Sequence, residues 1–99
     1  MSGTFQCALR IQATHPALAG HFPDHPVVPG VVLLERVVAA CRSWRGMRVG
    51  KFDAKFLQPL LPDQNAVIEL REEGPRVRFA VLRAEGGVAL ARGTLEAAS

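Results

Sequence analysis

The chain has 99 residues, of which 48% are hydrophobic, and it carries a formal net charge of +3. This length permits one modest core, so we expect a single domain over residues 1–99. The twelve Lys and Arg residues are dispersed and aromatic residues are few, which argues against binding to nucleic acid. No apolar run approaches the ~20 residues of a membrane-spanning helix, and the first ten residues do not resemble a secretory signal. We therefore expect no membrane association.

Cys7 and Cys41 stand far apart and lack the spacing of a metal site. Isolated cysteines of this kind are typical of reduced, packed thiols, so the sequence predicts a cytoplasmic protein. The chain also lacks the metal-binding motif HExxH, a CxxC pair and the glycine-rich loops that bind nucleotides. We therefore expect neither a metal nor another cofactor.

The apolar pattern predicts one helix and five strands in chain order. Alternation of apolar and polar residues predicts strands at about 5–11, 51–56, 66–71, 76–81 and 88–95. After a long proline-rich loop, a mostly apolar run predicts a helix from Gly30 to about residue 43, with Pro29 at its start and Gly46 as its C-cap. The last strand has small residues around Gly93, which leave room for another backbone. We expect residues 96–99 to fray.

A sheet that wraps a single helix accounts for this order of elements, because one helix covers only one face of a sheet. The predicted fold class is α+β, with an antiparallel sheet of about five strands around one central, buried helix. An open sheet has two unpaired edge strands, which need a cover or a partner. Pairing of one edge with a second copy would extend the sheet, so we expect a homodimer.

His21 and Glu35 are the residues with the clearest chemical potential. His21 lies in the loop before the helix, and Glu35 lies inside the apolar helix, where a carboxyl group is unfavourable unless it is paired or neutral. The helix start between them has free amides with partial positive charge. A histidine base, an oxyanion-binding amide at Gly30 or Val31 and a protonated carboxyl suit removal of a proton next to a carbonyl group. This chemistry fits dehydration of a 3-hydroxyacyl thioester.

Residues 20–35 read G-H-F-P-x-H-P-x-x-P-G-V-x-x-x-E. This string resembles the signature of the 3-hydroxyacyl-[acyl-carrier-protein] dehydratases of the hotdog fold, the FabZ/FabA group. Farther on, Phe56, Pro59 and Pro62-Asp63 resemble that group's F-x-x-P-x-x-P-G-D segment, although the glycine before the aspartate is missing. Asp24 also departs from the family, which commonly has Gly there. The resemblance covers residues 20–64 well and the remaining strands by pattern.

The resemblance implies a hotdog lyase that dehydrates (3R)-3-hydroxyacyl thioesters on acyl carrier protein to trans-2-enoyl thioesters, in fatty acid or related lipid or polyene biosynthesis. It implies catalytic roles for His21 and Glu35, with Glu35 facing the histidine of the other subunit in a homodimer. Phe22, Pro23 and Pro29 would shape the loop. The family needs no metal or other cofactor for this reaction.

Two alternatives stay open. A hotdog module that binds an acyl chain or a carrier protein would keep the fold without turnover. A hotdog thioesterase would instead use water as a nucleophile. The presence of both His21 and Glu35 argues against a pure binding module, because a binder has no need of a buried carboxyl group. The long loop motif argues against the thioesterase.

Overall fold

The computed structural model describes residues 3–18 and 27–98, which form an antiparallel five-stranded sheet with one α-helix packed on it. The elements in chain order are β1 (Thr4–Leu9), a short 3-10 turn (Pro16–Leu18), α1 (Gly30–Arg45), β2 (Val49–Phe56), β3 (Ala66–Glu73), β4 (Arg76–Arg83) and β5 (Ala89–Ala97). The strand order across the sheet is β1-β3-β4-β5-β2, so β1 and β2 are the edge strands. The predicted α+β class and the five predicted strands are confirmed.

The core lies between α1 and one face of the sheet. Leu70 of β3 is opposite Phe79 of β4, and Val77 of β4 is opposite Leu95 of β5. All four side chains are buried. Because side chains alternate along a strand, a slip by one residue would turn this whole set toward solvent, and the apolar pattern therefore fixes the register.

The helix buries only one side. Its buried residues are Val32, Leu33, Val37, Ala40 and Cys41. The opposite side is open on the single chain: Val31 is 61% exposed, and Glu35 and Ala39 are also exposed. In the single chain the helix therefore packs on one side, because one sheet offers the helix one contact surface.

The C-terminal end of the helix is capped and packed against the sheet. Gly46 has φ 69° and its N–H donates to the Arg42 carbonyl at 2.7 Å, which confirms the predicted C-cap. The helix continues to Arg45, slightly beyond the predicted end. Trp44 in its last turn stacks on Phe5 of β1, with ring centroids 5.8 Å apart. The helix thus lies across the sheet from its start near β2 to this contact with β1.

The last strand is longer than predicted. β5 runs to Ala97, with Glu96 opposite Lys51 of β2, and the Ala98 N–H donates to the Arg48 carbonyl at 2.8 Å. The prediction of a frayed tail from residue 96 is wrong for residues 96–98, because β2 supplies hydrogen-bond partners to their backbone. No helix in the described ranges is long and apolar enough to cross a membrane.

Candidate functional site

The start of α1 presents two free backbone donors. Pro29 precedes the helix in an extended conformation, and its carbonyl accepts from the N–H groups of Val32 at 3.0 Å and Leu33 at 3.4 Å. The N–H groups of Gly30 and Val31 have no acceptor among residues 3–18 and 27–98. Free amides at a helix N-terminus stabilise negative charge. The predicted oxyanion-binding position at Gly30 and Val31 therefore has the donors it requires.

Gly30 borders a groove of about 440 Å³. Its lining residues come from the helix start and from the end of β2 with the loop that follows: Val28, Gly30, Leu33, Phe56, Leu57, Gln58, Pro59 and Leu60. Most of these side chains are apolar, so the groove suits an acyl chain beside a polar head group.

The Phe56 ring lies against Gly30 at the edge of this groove. A Cβ added at Gly30 would lie 2.7 Å from Phe56 Cζ and 2.9 Å from Cε1. A larger residue would therefore displace the ring, which is half exposed. The absence of a side chain at Gly30 thus lets the ring pack directly against the helix start.

The groove wall is held by backbone hydrogen bonds. The Val28 N–H donates to the Leu60 carbonyl at 2.9 Å, which ties the helix start to the segment after β2. The Leu57 N–H donates to the Leu90 carbonyl at 2.9 Å, and Arg83 Nη2 donates to the Pro59 carbonyl at 3.3 Å. Sequence reasoning identified Phe56 and Pro59 but missed the residues between them. Their position inside the F-x-x-P motif is the signal that could have found them.

Glu35 lies on the open side of α1. Residues four apart on a helix share a face, so Glu35 stands between Val31 and Ala39, and all three are exposed. The expectation of a carboxyl group buried within its own chain is wrong, since the side of α1 away from the sheet has no cover there. A catalytic role for Glu35 remains a prediction.

The other predicted loop residues lie outside the described ranges. These are the proposed base His21 and the loop-shaping residues Phe22 and Pro23, together with Asp24 and His25. Pro29 does lie where the sequence placed it, directly before the first helical residue. Of the predicted site residues in the described ranges, Gly30 lines the groove, and Pro29 and Val31 are its neighbours in the chain.

Asp63 explains how the chain turns without the family's glycine. Its φ is 64°, and it is the one non-glycine residue with positive φ in the described part of the chain. Aspartate tolerates this left-handed conformation better than most residues. The Asp63 N–H donates to the Ile11 carbonyl at 2.8 Å, and its carboxylate lies 3.6 Å from Arg10. The shortened Pro62-Asp63 segment therefore still forms an anchored turn.

The two cysteines are free thiols. Burial raises the pKa of both Cys7 and Cys41, and the nearby Arg45 guanidinium partly offsets this for Cys41. A thiol with a raised pKa is a weak nucleophile at neutral pH. Both residues therefore act in packing. Within residues 3–18 and 27–98, no group of three His, Cys, Asp or Glu side chains is arranged to hold a metal ion.

Comparisons with known proteins agree on one family. The ApeI-like family model, described as ApeI dehydratase, matches residues 1–94. The 3-hydroxyacyl-[acyl-carrier-protein] dehydratase FabZ of Pasteurella multocida is 32% identical over 83 residues, which cover 70% of this chain and 55% of that protein. FabZ of Cronobacter sakazakii is 32% identical over 104 residues, with 92% and 67% covered. The chain thus spans little more than half the length of the Pasteurella relative.

A solved structure confirms the hotdog fold. The dehydratase heterocomplex ApeI:P from Xenorhabdus doucetiae superposes with a TM-score of 0.84, at 18% identity, over 100% of this chain and 90% of that one. At this sequence identity the match supports the fold alone.

Proposed function

This chain belongs to the ApeI-like dehydratase family, and from that membership and the geometry of the groove we propose that it dehydrates (3R)-3-hydroxyacyl thioesters to trans-2-enoyl thioesters. The observation that carries the proposal is the helix start, where the amides of Gly30 and Val31 have no acceptor among the described residues and Gly30 lines an apolar groove. An α-proton next to a thioester is weakly acidic, so the reaction depends on stabilisation of the developing oxyanion. One preorganised donor of this kind contributes roughly 3–4 kcal/mol to the transition state.

The proposed mechanism uses three groups. His21 removes the proton from the α-carbon, and the amide of Gly30 or Val31 donates a hydrogen bond to the thioester oxygen as negative charge develops there. Glu35, protonated, gives its proton to the β-hydroxyl group, which leaves as water while the α,β double bond forms. The proton count balances, since His21 gains one proton and Glu35 loses one, and solvent exchange resets both. No metal or other cofactor takes part in these steps.

We propose a homodimer in which each site takes Glu35 from the other chain. Exposure of Glu35 on the single chain supports this, because a carboxyl group that points away from its own sheet is available to a second copy. The edge strand β2 exposes Phe52 and Phe56, and the Phe56 ring lies against Gly30, which gives an apolar surface next to an unpaired strand edge. Pairing of two β2 edges would bury this surface and bring the two helices together.

The proposed substrate carrier is acyl carrier protein, and the proposed setting is cytoplasmic fatty acid, lipid or polyene biosynthesis. Similarity to FabZ proteins, whose name states the carrier, supports the first part. The two free, packed thiols are compatible with a reducing compartment. We also propose that residues 1–99 act as a single hotdog domain.

The test is direct turnover. Purified protein is incubated with 3-hydroxyacyl and with trans-2-enoyl thioesters of a carrier protein, and the two species are followed by mass. We expect interconversion by gain or loss of one water, and we expect His21→Ala to abolish it. His25 is the second histidine of the motif over residues 20–35 and is expected to anchor the loop, so His25→Ala should have a much smaller effect. Binding without conversion would favour the non-catalytic module, and release of the free acid would favour the thioesterase.

A further inference from the structure

A second pocket lies between the segment after β1 and the middle of α1. It has a volume of about 410 Å³ and is lined by Arg10, Gln12, Thr14, His15, Pro16 and Arg36. None of these residues lines the groove at Gly30, and no acidic side chain lines this pocket. The pocket combines two guanidinium groups with an amide, a hydroxyl and an imidazole, so it is rich in hydrogen-bond donors and carries positive charge.

The positive charge of the pocket is only partly compensated. Arg10 faces the Asp63 carboxylate at 3.6 Å, and both side chains are about half exposed, so solvent screens this pair strongly. Arg36 is exposed and forms neither an ion pair nor a side-chain hydrogen bond with any of the described residues. Two arginines that converge on one concave site are therefore available to an anion.

We propose that this pocket binds the phosphate ester of the pantetheine arm on which the acyl thioester is carried. The inference rests on the proposed function, which requires a pantetheine thioester as substrate. Guanidinium groups bind phosphate through paired, charge-assisted hydrogen bonds, and the fork geometry favours arginine over lysine. Carrier proteins and coenzyme A both attach pantetheine through a 4′-phosphate, which is a serine phosphodiester in the first and part of a diphosphate in the second.

The location of the pocket fits such an arm. Arg36 lies six residues beyond Gly30, which corresponds to about 9 Å along the helix axis. A pantetheine arm is longer than this separation, so it can reach from the pocket to the amides at the helix start. The phosphate site thus anchors one end of the arm while the helix-start amides hold the reacting end.

The first experiment measures binding without turnover. Calorimetry compares 4′-phosphopantetheine with pantetheine, which lacks the phosphate, on the wild type and on Arg10→Gln and Arg36→Gln. We expect the phosphate to strengthen binding to the wild type, and we expect each pocket variant to lose about tenfold in affinity for 4′-phosphopantetheine only. Arg36→Lys keeps the positive charge but loses the forked guanidinium group. Its affinity for 4′-phosphopantetheine should therefore lie between those of the wild type and Arg36→Gln.

Arg92→Gln is the matched control for this measurement. Arg92 is exposed on β5, away from the pocket, and its removal changes the net charge equally. We expect it to leave the affinity unchanged. Equal binding of pantetheine and 4′-phosphopantetheine to the wild type would overturn the proposal. The proposal would also be overturned if Arg92→Gln lost as much affinity as the pocket variants, because the loss would then follow from the change in net charge and not from the pocket.

The second experiment separates the phosphate from its carrier. The 3-hydroxyacyl group is offered on carrier protein, on coenzyme A and on N-acetylcysteamine, which has no phosphate. We expect Arg36→Gln to raise KM for the first two about equally and to leave the third unchanged. A rise in KM with only one of the two phosphate-bearing substrates would overturn the proposal. It would mean that Arg36 contacts the surface of the carrier protein or the nucleotide of coenzyme A. If no substrate is converted while phosphate-dependent binding persists, the proposed function fails and the phosphate site stands.

Discussion

Glu35 is the described residue on which the proposed chemistry depends most. It shares the open side of α1 with Val31 and Ala39, and all three side chains are exposed on the single chain. A second copy packed on this side would remove the solvent. The proposed dimer would therefore place the Glu35 carboxyl group in a site that two chains share.

The substitution that tests the role of Glu35 is Glu35→Gln. It keeps the shape and hydrogen-bonding capacity of the side chain, but the amide cannot act as an acid. We expect turnover to fall by roughly 10²-fold or more, the usual size of an acid–base contribution. The unfolding temperature should change little, because the side chain is exposed on its own chain. Steady-state kinetics and thermal unfolding check both parts. Glu85→Gln, in the exposed turn before β5, is the control, and an active Glu35→Gln enzyme would show that Glu35 is not the acid.

At the scale of the elements, β5 depends on close approach of its neighbours. A Cβ added at Gly93 would meet the Asp53 backbone carbonyl and would lie 2.8 Å from Cε2 of the buried Phe79 ring. Backbone on one side and a buried ring on the other leave no room for relaxation. The small residue predicted from the sequence at this position thus has a packing reason.

Gly93→Ala should therefore destabilise the protein by about 1–3 kcal/mol, the usual effect of an overpacked core. Urea unfolding monitored by circular dichroism gives the free energy of unfolding. Gly3→Ala is a suitable control, because the added Cβ would meet mainly the Glu72 side chain, at 3.2 Å, and that side chain can move. Equal stability of Gly93→Ala and the wild type would contradict this, because it would mean that β2 and β5 can move apart to accommodate the added methyl group.

The β3–β4 hairpin carries a charge pair that responds to pH. Arg78 donates to both Glu73 carboxylate oxygens, at 2.8 and 2.9 Å, and this holds the pKa of Glu73 below its usual range. A carboxyl group whose pKa is lower in the folded chain stabilises the fold above its unfolded pKa, and this contribution is lost as the pH falls through its folded pKa. Glu73→Gln should be less stable than the wild type at neutral pH, and the difference should vanish in acid. Chemical unfolding at the two pH values tests this, and a difference that persists in acid would contradict it.

For the whole molecule, the proposed dimer makes the edge strand β2 the decisive surface. Phe52 is 52% exposed there, and Phe52→Asp would place a charge in the proposed interface. We expect this variant to sediment as a monomer and to lose turnover, because each site would lack the other chain's Glu35. Val88→Asp is the control, since Val88 is 42% exposed but lies in the turn between β4 and β5. A wild-type protein that is a stable, active monomer at micromolar concentration would exclude both the edge pairing and the shared site.

The local features of this protein follow from its sequence alone. The five strands, the helix start after Pro29 and the Gly46 cap depend on alternation, proline geometry and a left-handed glycine, which act over a few neighbouring residues. The motif over residues 20–35 likewise named the family without coordinates. The roles of His21, Phe22 and Pro23 within it stay predictions.

The tertiary structure decided which distant residues meet. Pairing of β1 with β3 and of β2 with β5 leaves β2 as an edge and extends β5 to Ala97, because hydrogen-bond partners come from remote strands. Packing on one face of the sheet exposes Glu35, whereas the apolar run around it predicted burial. Arg10 and Arg36 line one pocket although a whole loop separates them in the chain. Local periodicity reports which face a residue occupies, but only the packing of elements determines what lies opposite that face.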